Sequence, residues 1–220
     1  SVHYKIKLLS DFFGDKNLSQ ITPKDVDDYK LLRLTEVKPS TVNRELACLS
    51  HLFNLAKRQQ RFFGENPVSI SKLLPEHNQV ERILKMEEET ELLSSSSPEL
   101  KAILLCALNT GMRKNEIITL KWENLDLDRN IITIEHTNTK SKKTRRIPIN
   151  STLRKLLLEQ KLKVGTSEYV FLSSTGQPYK RHDSLKQAFG GACKRANIKG
   201  LRFHDLRHTA ATRMIEAGAS

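Results

Sequence analysis

The spacing of apolar residues changes after Trp122. Upstream they recur every three or four residues, the period of an amphipathic helix. From Asn130 to His136 and from Thr144 to Ile149 they alternate, the period of a half-buried strand. A chain patterned this way folds as a mainly α protein with a small antiparallel β-sheet, its two strands meeting at a basic turn. Residues 1–76 carry no strand pattern at all. His3 to Phe13 is a helix stopped by Gly14, and Thr22-Pro23 opens a second with Thr22 as N-cap. A third opens at Ser40 after Pro39 and turns Leu46, Leu49, Leu52, Phe53 and Ala56 to one side. Arg61 to Pro67 closes the region with aromatics, a glycine and an Asn-Pro break.

The polar, Pro-marked stretch from Leu74 to Arg82 reads as a linker, which sets the domains at 1–76 and 84–220 with residues 77–83 between them. The second domain predicts helices at Met86–Leu93, Pro98–Leu108, Lys114–Leu120, Ser151–Lys163, His182–Ala196 and His204–Ala217. Tyr169–Leu172 fits either an edge strand or an extended segment.

Charge narrows the partner. Lys and Arg number 37 against 25 acids, a net charge of +12. An excess of that size suits a polyanion through counterion release, and the positive charge is clustered. Lys140, Lys142, Lys143, Arg145 and Arg146 fall within seven consecutive positions around the turn between the strands. Cations on such a turn can simply protect a sheet edge. Five in seven residues repel one another, which argues for an anion nearby. Cys48, Cys106 and Cys193 form no CxxC pair, so neither a disulfide framework nor a zinc site is supported and a reducing compartment is expected. The longest apolar run, Ala102–Leu108, is too short to span a bilayer, and no signal peptide opens the chain.

Two further groups carry chemistry. Arg113 follows the turn glycine Gly111, and its planar fork can grip two phosphate oxygens. Glu116, three residues on, can pair with it; alone, that pair would be an ordinary surface contact of a few tenths of a kcal/mol. His204, Arg207 and His208 lie three and four apart around one helical end. No HExxH and no carboxylate cluster accompanies the two histidines, and Arg207 between them opposes a cation, so no metal and no cofactor is expected.

These residues carry a resemblance. Thr110-Gly-x-Arg113-x-x-Glu116, then Thr139-Lys140 ahead of Pro148, then His204-x-x-Arg207-His208 are similar to the ordered motifs of the tyrosine recombinase (phage integrase) family. Leu120–Asp126 resembles the segment after that family's first arginine. Ser40–Glu45 and Asn66-Pro67 resemble its helical core-binding domain, so the likeness spans nearly the whole chain.

The resemblance implies a helical core-binding domain and an α+β catalytic domain closing around double-stranded DNA. Arg113 and Arg207 would bind the scissile phosphate. Lys140 would protonate the leaving 5′ oxygen, with Lys143 as its rival. His204 would fill the family's His/Lys position, Glu116 the buttressing acid position, and His208 a frequent family position of less defined role. Asn43 and Arg44, with Lys142, Lys143 and Arg145, are the expected DNA contacts.

The implied reaction is site-specific cleavage and rejoining through a 3′-phosphotyrosyl intermediate. It belongs to bacterial or phage-infected cytoplasm, in tetramers on DNA. The family's nucleophilic tyrosine follows the second arginine, whereas Tyr4, Tyr29, Tyr169 and Tyr179 all precede Arg207. A piece of a longer recombinase, monomeric and inactive by itself, is therefore expected. The alternative is a family member that binds sites without cutting them.

Overall fold

The structure is a computed structural model and describes residues 2–76, 82–135, 144–179 and 184–218. Its contacts divide the chain into two compact units, Ser1–Val80 and Glu81–Ser220.

The first unit is helical: α1 Val2–Phe13, α2 Pro23–Leu34, α3 Pro39–Arg58 and α4 Pro67–Ser71, with a 3₁₀ turn at Leu18–Gln20. Thr22 caps α2 by accepting from the Asp25 N–H, with Pro23 in the first turn, where a missing N–H costs nothing. Leu9, Phe13, Val26, Tyr29, Leu46, Leu49, Phe53 and Val68 form its core. The Asn-Pro pair at 66–67 is the start of α4 rather than a break. Asn66 accepts the Val68 N–H at 3.1 Å, and Pro67 takes the first helical position. Tyr29 is buried and donates to Glu45 at 2.8 Å, and Glu45 also receives Arg33 at 3.0 Å.

Asn43 corrects the sequence expectation. It is 5% exposed, its amide donates to the Leu74 carbonyl at 2.8 Å and to Glu76 at 2.6 Å, and its oxygen accepts the Leu74 N–H at 2.9 Å. Asn43 stands one turn before Leu46 on the inward side of α3, so it ties the segment after α4 to that helix and is committed inside the unit. Asn43→Ala should destabilise this unit by about 1–2 kcal/mol, because two part-buried backbone groups of Leu74 lose their partner. Thermal unfolding of the purified chain reads this; unchanged stability would contradict the assignment. Arg44, the next residue, is exposed.

The second unit runs α5 Met86–Ser94, α6 Pro98–Thr110, α7 Lys114–Ile118, β1 Leu125–Asp126, β2 Ile131–Ile134, β3 Arg145–Pro148, α8 Ser151–Val164, α9 Ser184–Arg195 and α10 Asp205–Glu216. The sheet is antiparallel in the order β1-β2-β3, with Ile132 opposite Ile147 and Ile134 opposite Arg145. The two-residue β1 pairs Leu125 with Ile132 and is too short to leave an alternating signature.

Helix α6 touches α7, α8, α9 and α10. That explains why Leu100, Ile103, Leu104, Cys106, Ala107 and Leu108 are buried around most of its circumference. Tyr169–Leu172 is an extended segment stitched to the stretch before β1: Val170 N–H donates to the Leu120 carbonyl at 2.9 Å, and Trp122 N–H to the Glu168 carbonyl at 3.0 Å. No helix among the described residues is long and apolar enough to cross a membrane.

Candidate functional site

The site begins where α6 ends. Gly111 closes that helix at φ +60°, a conformation that disfavours any side chain, and its N–H returns to the Ala107 carbonyl. A Cβ at Gly111 would also lie 3.7 Å from that of Ala210 on α10. The turn leaves the Gly111 carbonyl facing α10, where the Arg207 guanidinium donates to it. Buried Leu206 and Ala210 hold α10 against α6, so packing and this hydrogen bond together fix Arg207 beside the turn that carries Arg113.

Arg113 is the N-cap of α7, and Glu116 sits one turn inside that helix, 4% exposed. The Glu116 carboxylate accepts the Arg113 backbone N–H at 2.7 Å and the Arg113 guanidinium at 3.1 Å. It also accepts both terminal nitrogens of Arg145 from β3, at 3.1 and 2.6 Å. One buried acid therefore aims two arginines. Burial pushes the Glu116 carboxyl up, but hydrogen bonds from Arg145 and from the Arg113 N–H outweigh it, and the net shift is downward.

The stability this carboxylate contributes is therefore present above its ordinary value of 4.5 and is lost as pH falls through the depressed folded value. Acid unfolding of the wild-type chain should show this loss below pH 4.5, and a Glu116→Gln variant should show a flatter profile there. Identical profiles would remove Glu116 from the account.

Burial lowers the Arg207 pKa, and the charges of Arg113 and Arg145 lower it further. Three guanidiniums thus repel one another across one small region, with Glu116 offsetting them in part, a field that favours a bound anion. His204 stands just before α10, and its ring meets that of His208 edge-on at 5.2 Å between centroids. Burial and then the charges of His208 and Arg207 hold His204 below its usual value, so the neutral form is favoured. The turn carrying His204 is fixed by buried Asp205, which accepts the Arg202 N–H at 2.7 Å. Met112, Lys114, Phe203, His204 and Arg207 line a cavity of about 260 Å³.

Of the expected site residues, Arg113, Glu116, Arg207, His204 and His208 are therefore gathered at the facing ends of α6, α7 and α10. Arg145, expected as a DNA contact beside the basic turn, lies on β3 and joins them through Glu116. Its alternation with buried Ile147 on β3 is the signal that pointed inward. Lys114 lines the cavity and was not anticipated. Lys140, Lys142 and Lys143 lie outside the described residues. Among the described residues no three His, Cys, Asp or Glu side chains gather as a metal site.

The profile of the phage integrase family matches residues 75–220, and that of the phage integrase N-terminal domain matches residues 1–74. The chain belongs to the phage integrase family. It is 30% identical to the shufflon-specific DNA recombinase of Escherichia coli over 215 residues, 93% of this chain and 53% of that protein. It is likewise 30% identical to the integrase of Escherichia phage P2 over 217 residues, 98% of this chain and 60% of that protein. The chain thus spans little more than half the length of these relatives.

Among solved structures, a lambda integrase (75–356) dimer bound to a COC′ core site superposes with a TM-score of 0.83 at 18% identity, covering 99% of this chain and 82% of that one. A lambda integrase tetramer bound to a Holliday junction gives 0.80 at 22% identity, covering 100% of this chain and 67% of that one. These likenesses establish the integrase fold, helical with its small antiparallel sheet.

Proposed function

We propose that this chain is the DNA-gripping part of a site-specific recombinase that cuts and rejoins double-stranded DNA through a 3′-phosphotyrosyl intermediate. The observation that carries this is the meeting of Arg113 and Arg207 beside the Gly111 turn, with Glu116 behind them.

Attack on a phosphodiester builds negative charge on its nonbridging oxygens, and fixed cations aimed at that charge lower the barrier. Guanidiniums keep their protons at neutral pH, so they do this without a metal or cofactor. Arg113 and Arg207 hold the scissile phosphate; His204, favouring its neutral form, can hydrogen-bond a nonbridging oxygen, with His208 beside it. Lys140 or Lys143 supplies the proton to the leaving 5′ oxygen, a strongly basic group that needs a donor. The nucleophile is a tyrosine outside the four in this chain. Attack by its phenolate oxygen forms the phosphotyrosyl bond and breaks the bond to the 5′ oxygen. The reverse attack by a 5′ hydroxyl restores the strand, so no ATP is consumed.

Residues 1–76 are the DNA-binding domain, with Arg44 among its phosphate contacts. Residues 84–220 are the catalytic domain, and 77–83 join them. The working form is a tetramer on DNA in the cytoplasm of a bacterial or phage-infected cell, and the 220-residue chain alone is a monomer. Nicked duplexes carrying the element's own junction, incubated with the protein that includes this chain, test the reading. A covalent protein–DNA adduct cleaved from tyrosine on hydrolysis is expected. Tight junction binding with no adduct would favour a family member that only occupies sites.

A further inference from the structure

A second cavity, of about 300 Å³, adjoins the arginine site and shares Lys114 and Phe203 with the first. Leu185, Phe189 and Leu201 give it an apolar floor, and Gly190 of α9 lies on its wall.

Gly190 has no internal explanation. It sits in the interior of a twelve-residue helix, where only proline is less favourable. Its φ is not positive, so the backbone does not demand glycine. A Cβ there would meet no described atom within 4 Å, so packing within the chain does not demand it either. What a glycine does provide is access: a neighbour from outside can approach the helix backbone closely.

The flanks say what kind of neighbour. Lys186 and Lys194 lie one turn to either side of Gly190 on the same ridge, and all three are exposed. Helix α9 contains no acidic residue. Lys114 continues the positive lining toward the arginine cluster. A bare stretch of helix between two lysines, continuous with a site for an anion, complements a polyanionic strand.

We propose that a DNA strand leaving the arginine site passes over Gly190, its sugar–phosphate backbone against the exposed helix backbone and its phosphates on Lys186 and Lys194. This rests on the DNA reading above and adds a track that the arginine site does not require.

Duplex binding by the 220-residue chain, followed by fluorescence anisotropy across a salt series and paired with thermal unfolding, tests it. Gly190→Ala and Gly190→Leu should raise Tm by about 2–4 °C through helix propensity. The same variants should weaken duplex binding, by about fivefold for Leu and less for Ala. Lys186→Ala and Lys194→Ala should each lower the salt slope by about one. Gly191→Ala is the control. Its Cβ would meet only the movable end of Arg195, at 3.3 Å, so Tm should rise with binding unchanged.

Gly190 variants that bind as the wild type would overturn the track, as would an equal loss in Gly191→Ala, which would show that stiffening α9 is what matters. Wild-type chain without salt-dependent duplex binding would instead remove the DNA reading itself.

Discussion

Arg113→Ala and Arg207→Ala, each made in a protein that carries the nucleophile, will lower the rate of covalent adduct formation about 10²–10³-fold while duplex affinity falls by less than about tenfold. The asymmetry follows from where each charge acts. In the bound duplex one phosphate carries one negative charge, and many other cations of this +12 chain also attract the polymer. In the transition state extra charge develops on that single phosphate, and only groups already aimed at it respond. Arg207 is aimed by the Gly111 carbonyl and by α10 packing, and Arg113 by Glu116. Arg→Lys at either position should recover only part of the loss, since an ammonium lacks the planar fork. Quench-flow with a nicked duplex separates the two effects. Loss of affinity in step with loss of rate would show that the arginines bind DNA generally and do not act on the reacting phosphate.

Glu116→Gln should be the second large effect. The carboxylate accepts four hydrogen bonds from two arginines in a side chain 2% exposed. A glutamine keeps one oxygen acceptor and turns an NH₂ toward guanidinium donors. Removing one partner of a buried ion pair costs about 3–5 kcal/mol. The side chains of Arg113 and Arg145 are 37% and 30% exposed, so water recovers part of that, and a loss of about 2–3 kcal/mol is expected. Adduct formation should fall as well, because Arg113 loses its aim and Arg145 its anchor. Glu116→Asp, which keeps the charge on a shorter stem, should recover stability more than rate. Chemical unfolding of the chain and adduct kinetics read the two arms. A Gln variant of full stability and rate would show that the acid does not organise the site.

Helices α1 and α3 were legible in the sequence because each buries one apolar face, α2 through its Thr22-Pro23 start, and α8 also lies close to where the sequence puts it. Three features were not. The five-residue α4 is too short for a period, and only the Asn66 cap and Pro67 betray it. Strand β1 has two residues. Tyr169–Leu172 left two readings open, because extended backbone paired to a loop has the same residue preferences as an edge strand.

At the site, Arg113, Glu116 and Arg207 were readable because the Gly111 turn and the α10 spacing constrain them locally. Asn43 was misplaced and the Glu116 partner of Arg145 was missed, although periodicity turned both inward. Arg145 shares a strand face with Ile147, and Asn43 shares a helix face with Leu46. Charge and polarity suggested the surface for both. A partner within the fold, buried Glu116 for Arg145 and the part-buried Leu74 backbone for Asn43, makes the inward position favourable. Such partners lie 29 and 31 residues away along the chain, beyond the reach of any local pattern.

In the proposed site Arg113 and Arg207 hold one and the same phosphate. A crystal structure of the chain on a duplex carrying the element's junction tests it most directly. The expected result is a single phosphate whose nonbridging oxygens accept from both guanidiniums, with Arg113 still seated on Glu116. Guanidiniums bound to different phosphates, or turned away from the duplex, would contradict it.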